Sequence, residues 1–236
     1  MASVTDPSPS HSATQLSSSK TAPTHFLLRR LHSLTGILFG GYLIVHLVVN
    51  ATLAQGAKPD DIYQAQVNKI HSLPLLNLIE WVFIYLPILY HTVYGIWITV
   101  TGQPNVGQYP FSKNIFYFFQ RLTALILMLF IAFHIFAMKG LLGDALVFDP
   151  THATFTATRS LTANWAIEFV VYPLGILCAC YHLANGFWTA AITWGLTISR
   201  GAQKRWGLVC FGLFLMTFAF GMTAWLSVVL HPNPLK

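Results

Sequence analysis

Apolar residues come in long unbroken runs along this chain rather than at every second position. A run of about 20 residues with almost no charge is long enough to cross a hydrocarbon layer as a helix. Five such runs stand out, roughly 31–54, 75–101, 117–138, 163–198 and 206–230. The fourth is longer than a span requires and is expected to project beyond one face. A lipid-facing β-barrel would need alternating strands of about ten residues, and the continuous runs do not read that way. The pattern predicts an all-α integral membrane protein, with five transmembrane helices bundled within residues 26–236. The Ser/Thr/Pro-rich segment 1–25 has no apolar core. It is not an ordinary cleaved leader and is expected to be a disordered tail.

Composition agrees with this picture, and charge adds a direction to it. Only 8% of the 236 residues are charged, where a soluble domain carries roughly a quarter; the mean hydropathy is +0.58. Basic residues collect in cytoplasmic connections. Lys20, Arg29, Arg30, Lys113, Arg121, Arg200, Lys204 and Arg205 fall on one face of the predicted bundle. Lys58, Lys69, Lys139, Arg159 and Lys236 fall on the other, diluted by Asp60, Asp61, Asp144 and Asp149. The first face, with the N-terminus, is expected in the cytoplasm and the bundle in the inner (cytoplasmic) membrane. The net charge of +6 is then topology, and no basic stripe interleaved with aromatics points to nucleic acid. Cys178, Cys180 and Cys210 all lie in predicted spans and read as small buried residues.

Candidate chemistry sits in the histidines. His11, His25, His71, His152 and His231 fall in the tail, in connections or past the last span and read as solvated. His32, beside Arg29 and Arg30, reads as a boundary residue that meets headgroups, with a haem propionate as the sharper alternative. His46, His91, His134 and His182 lie one in each of the first four spans. At 1.5 Å per residue, His46 and His134 are roughly 13 and 8 Å from the outer face, and His91 and His182 roughly 25 and 30 Å. The four therefore fall at two depths, each holding two histidines from different helices. Ionisable groups buried in a membrane are costly and mark function. Two neutral imidazoles facing across a bundle core are the ligand set of a six-coordinate haem iron, whereas zinc wants three or four ligands. Without a C-x-x-C-H attachment motif such haems would be b-type. Gly95 and Gly186, each four residues beyond a histidine, would let a flat macrocycle approach the backbone. Pro87 and Pro173 are expected to free carbonyls or kink their helices. Arg30 and Arg121, with Lys113, lie at the cytoplasmic rim, where the propionates of an inner haem would need counter-charges.

The stretches "RRLHSL…HLVVN", "SLPLLNLIEWVFIYLPILYHTVYG", "NVGQY…QRLTALILMLFIAFHIF" and "YHLANGFWTAAITWGLTIS" resemble the five-helix, di-haem cytochrome b subunit of succinate:menaquinone oxidoreductases and related fumarate reductases. The likeness covers about residues 26–205. It implies one polypeptide anchoring a flavoprotein subunit and an iron–sulfur subunit on the cytoplasmic side, with FAD and iron–sulfur clusters on those partners only. It implies two haem b groups, the outer held by His46 and His134 and the inner by His91 and His182, the same pairs that depth gives. By the same resemblance, electrons from succinate would pass through flavin and iron–sulfur centres to the inner haem, the outer haem and then menaquinone. This chain carries no plausible succinate site.

Quinone reduction also consumes protons. Glu80 and Glu168 each lie six residues into a span, both roughly 9 Å below the outer face. Either is a candidate proton relay at a quinone site beside the outer haem, with Glu80 preferred; the plainer reading is a carboxylate close enough to the interface to reach water. Three other classes compete. One is a di-haem anchor of a hydrogenase or formate dehydrogenase. Another is a histidine-relay transporter, which would string its histidines at graded depths. The last is a structural anchor without haem, which leaves the four histidines with no role.

Overall fold

The computed structural model describes residues 21–55, 61–102, 107 and 111–231. Segment 1–20, with His11 and Lys20, lies outside the described residues, as do Lys58, Asp60 and Lys236. Residues 21–25, expected in the tail, form the first turn of a helix. No strand occurs among the described residues, and five helical segments are long and apolar enough to cross a membrane.

The first span is α1 (Thr21–Ala51), continued by a 3₁₀ turn. A short helix in the following connection is α2 (Ile62–His71). The second span joins α3 (Leu76–Glu80) to α4 (Leu86–Thr101) through a π-turn over Trp81–Tyr85. The third span is α5 (Ser112–Met138), followed by a connection that folds into α6 (Ala153–Leu161). A second π-turn (Ile167–Val171) opens the fourth span and leads into α7 (Tyr172–Thr193); the fifth is α8 (Arg200–Leu230). The fourth apolar run does not project as one long helix. Gly195 takes φ +73°, and the Leu196 N–H bonds the Ala191 carbonyl at 2.8 Å, a Schellman-type stop. The chain therefore turns back beyond Thr193.

α7 is the centre of the bundle, packing on α8, α5 and α1, while α1 also packs on α8 and α4. Its inward residues are small: Gly175, Cys178, Ala179, Cys180, Ala184, Ala190 and Ala191 are all buried. Without a hydrophobic force between helices in lipid, such residues bring backbones close enough for dispersion contacts. A Cβ on Gly175 would collide with the Phe130 ring of α5, and one on Gly221 with Ile176. All three cysteines are free and buried, as the sequence suggests. Indole N–H groups tie the fourth span to α8: Trp188 donates to the Gln203 carbonyl at 3.0 Å, Trp206 to Phe187 at 3.2 Å, and Trp225 to Glu168 at 2.6 Å. Apolar side chains such as Val100, Leu129 and Phe211 remain exposed, as a lipid-facing surface requires.

Both π-turns end two residues before a proline, Pro87 in one case and Pro173 in the other. The Leu86 N–H bonds the Trp81 carbonyl and the Tyr172 N–H bonds Ile167, each five residues back. Proline lacks an N–H, and its ring crowds the carbonyl four residues earlier. Widening the preceding turn relieves that crowding. One extra residue in a turn also rotates everything beyond it by about 100°, so these two turns set which way His91 and His182 face.

The two ends of the bundle differ. The end where α1 begins carries Arg29, Arg30, Arg121, Arg200, Lys204 and Arg205 and is here called the basic end. The other is closed by α2 and α6, amphipathic helices in segments the sequence suggested were mere connections. Leu53, Tyr63, Val67, Ala153, Ala157 and Val228 form their shared core. Asp61 caps α2 by accepting the Gln64 N–H at 3.0 Å and also accepts the Thr154 hydroxyl from α6. Gln64 adds two bridges, to the Pro150 carbonyl at 2.7 Å and from the Ala153 N–H at 2.6 Å. Replacing an N-cap aspartate by alanine costs about 0.5–2 kcal/mol. Asp61→Ala is therefore expected to speed amide hydrogen exchange in α2 and α6 together, while exchange in α7 stays as slow as before.

Candidate functional site

Four helices present the intramembrane histidines to one another in two couples. His46 of α1 faces His134 of α5, with ring centroids 5.9 Å apart and planes at 81°. His91 of α4 faces His182 of α7 at 6.1 Å and 88°. The first couple lies toward the capped end and the second toward the basic end. α1 and α5 both run away from the basic end, and α4 and α7 both run toward it; packing brings each couple together.

The second nitrogen of every ring has company. His46 Nδ1 lies 3.4 Å from the Tyr42 hydroxyl, one helical turn earlier. His134 Nδ1 lies 3.3 Å from the Tyr172 hydroxyl across the bundle. His91 Nδ1 donates to the His32 carbonyl at 3.0 Å. His182 Nδ1 donates to the Gln120 carbonyl at 3.2 Å and lies 3.4 Å from the Thr123 hydroxyl. Such outer partners fix a ligating imidazole's tautomer and orientation, and with Nδ1 engaged it is Nε2 that remains to bind. Gln120 is itself held, donating to the His182 carbonyl at 3.1 Å and accepting from Asn185 at 2.8 Å.

The spacing tests which metal centre the donors suit. With a metal–nitrogen bond of about 2 Å and a nitrogen about 1.2 Å from its ring centre, two imidazoles on opposite sides of one metal have centroids roughly 6 Å apart. Both couples meet that spacing. No group of three or more histidine, cysteine, aspartate or glutamate side chains suited to a metal ion occurs among the described residues. Two neutral imidazoles per site suit the axial positions of a b-type haem iron; they do not complete a zinc site.

The other sequence candidates are placed as follows. Glu80 ends α3 immediately before the first π-turn; it stands on the side of the His46 couple. Glu168 lies within the second π-turn, where its backbone carbonyl takes the Trp225 indole N–H. Arg30 stacks its guanidinium over Phe26 and Trp194 at 4.8 and 4.7 Å. Arg121 ties down the end of α4, donating to Ile98, Thr99 and Gly102 carbonyls at 2.8, 3.0 and 3.3 Å. Gly95 and Gly186 face His32 and Gln120, so their missing side chains make room for neighbours of the histidines. Tyr42, Gln120, Thr123 and Tyr172 escaped the sequence reading. Tyr42 was accessible in principle, being four residues before His46; the others reach their histidines only through packing.

Comparison with known proteins meets this geometry. The succinate dehydrogenase cytochrome b558 subunit of Bacillus subtilis (strain 168) is 33% identical over 202 residues, covering 84% of this chain and 95% of that protein. The chain belongs to the family of succinate dehydrogenase cytochrome b subunits. No family model matches it. For a cytochrome b subunit, an apolar bundle with two facing imidazole couples is a coherent frame.

Gly36 offers a direct probe of the couple toward the basic end. A Cβ there would lie 2.5 Å from Cε1 and 2.8 Å from Nδ1 of His91, although alanine stabilises a helix interior by roughly 0.5–1 kcal/mol over glycine. Gly36→Ala is expected to remove or shift one of two components in the reduced-minus-oxidised absorption spectrum. Gly41→Ala, whose Cβ would meet nothing within 4 Å, is expected to leave both in place.

Proposed function

We propose that this chain is the electron-carrying membrane anchor of a succinate dehydrogenase, lying in the inner (cytoplasmic) membrane with its basic end toward the cytoplasm. His46 and His134 hold an outer haem b; His91 and His182 hold an inner one. The observation that carries the reading is the spacing of the two couples, 5.9 and 6.1 Å, with every Nδ1 already engaged. When bound, each haem supplies a one-electron carrier. The protein orients the ligands through the Tyr42 and Tyr172 hydroxyls at the outer site and the His32 and Gln120 carbonyls at the inner one.

Flavoprotein and iron–sulfur subunits, carrying FAD and the iron–sulfur clusters, dock on the cytoplasmic end. Arg30, two residues before His32, and Arg121, two before Thr123, supply positive charge on the inner side, where propionates would be anionic.

Menaquinone is the proposed acceptor, beside the outer couple. Forming its quinol takes two protons with two electrons. Glu80, at the end of α3 just before the first π-turn and on the side of the His46 couple, is favoured over Glu168 as the residue that passes protons toward the quinone.

Redox titration of the intact complex tests the ligand assignment. Replacing His46 or His134 is expected to abolish one titrating component, and replacing His91 or His182 the other; loss of the same component by all four would refute two sites. Glu80→Gln is expected to retain both haems and to lower quinone reductase turnover by roughly 10²-fold, as measured with succinate and a menaquinone analogue. Undiminished turnover would remove Glu80 from the proton route.

A further inference from the structure

We propose that His32 is a positioning residue for the inner site: its ring lies flat on His91 and fixes the plane in which that ligand meets the iron. The inference rests on His91 being a haem ligand. The two rings are stacked with centroids 4.0 Å apart and planes within 9°, the closest stacked pair among the described residues.

One turn of α1 holds His91 on three sides. The His32 ring covers its face. The His32 carbonyl accepts its Nδ1–H at 3.0 Å. The bare backbone of Gly36, four residues on, forms the floor against which Cε1 and Nδ1 rest. His32 in turn has its own seat. Tyr94 tilts against it at 5.6 Å, and Gly95 leaves room for its Cε1, 3.3 Å from where a Cβ would be. Its Nδ1 is buried without a hydrogen-bond partner, so within the chain the ring contributes a flat face and not a bond from that atom.

The other three histidines lack such a clamp. Phe130 stacks on His134 only at 5.9 Å and 22°. Tyr42 is tilted 35° to His46. His182 is oriented through its nitrogen by Gln120 and Thr123. A hydrogen bond at Nδ1 fixes the direction of an imidazole but leaves it free to roll about the line from Nδ1 toward the metal side. A ring stacked on the face stops that roll. What the clamp preserves is the angle of 88° between His91 and His182. In a ferric low-spin haem, perpendicular axial imidazoles leave two iron d orbitals nearly equal in energy, which produces a highly anisotropic electron paramagnetic resonance signal. Rolling one ring toward the other's plane splits those orbitals and gives an ordinary rhombic signal.

The experiment compares His32→Leu and His32→Phe in the purified, oxidised three-subunit complex. Both variants remove the ring nitrogens and the polarity; only phenylalanine keeps a flat face. In His32→Leu the low-field feature of one haem is expected to move to lower g, with the other haem's feature in place. In His32→Phe both features are expected where the unaltered complex has them. Loss of one haem in His32→Leu with its retention in His32→Phe also supports the clamp. The inference is overturned if leucine moves nothing, if phenylalanine shifts the signal as far as leucine, or if both haems respond together. A bond from the His32 ring to a propionate would produce the second of these patterns. Should the unaltered complex lack two bis-imidazole haems by absorption and resonance, the ligand assignment fails first and the clamp with it.

Discussion

An imidazole in the middle of a bilayer has two nitrogens to satisfy and no water to do it with. Leaving either unpaired costs of order 1–3 kcal/mol, and the alternative of carrying a charge costs more. The described bundle answers this for Nδ1 four times over, with Tyr42, Tyr172, His32 and Gln120 standing beside the rings. The four Nε2 atoms are thereby left for a metal. Much of the rest of the structure follows from arranging helices so that these partners and the opposing ring arrive together.

Arrangement depends on how closely backbones approach. α7 reaches α8, α5 and α1 because most of its buried residues are glycine, alanine or cysteine, with Tyr172, Ile176 and Leu183 between them. Aromatic rings then settle in the spaces that small residues leave: Phe130 over Gly175, and His91 against Gly36. Rotation is a separate problem. The π-turns before Pro87 and Pro173 offset the second and fourth helices by one residue, so a proline effect decides which face carries the histidine further along the same span. Small residues set distance; the wide turns set direction.

The two couples sit in unlike surroundings. Tyrosine hydroxyls attend the couple toward the capped end, beneath two amphipathic helices. Carbonyls, with the Thr123 hydroxyl, attend the couple next to the arginine-rich end. Hydroxyls both donate and accept protons, whereas carbonyls only accept hydrogen bonds. A site where protons are consumed gains from the first kind of neighbour. A site that only relays electrons gains from the second, which holds a ring in one tautomer.

Much of the architecture was readable in the chain because lipid imposes a one-dimensional rule: a span is a run of apolar residues of sufficient length. Each of the five runs falls on a helical segment long enough to cross a membrane, although α1 begins at Thr21 and α8 at Arg200, ahead of their runs, and a positive φ at Gly195 stops the fourth helix short. Counting residues along helices also put the histidines at two depths, since rise per residue is fixed. Depth says nothing about azimuth, however. Which rings face each other, that Tyr172 reaches His134 from another helix, that Arg121 is occupied with the carbonyls ending α4, and that His32 lies flat on His91 all depend on helix rotation and contact. The capping helices were missed for a related reason. Their apolar faces are short and broken by polar residues, and they acquire a core only when Tyr63 and Val67 of one meet Ala153 and Ala157 of the other. The sequence by itself determined the spans and the levels of the histidines, because hydrophobic length and helical rise are local properties. Depth along the helices already grouped the histidines two by two; only the tertiary structure decided how the rings face and which outer partners they meet, because these arise where separate helices touch.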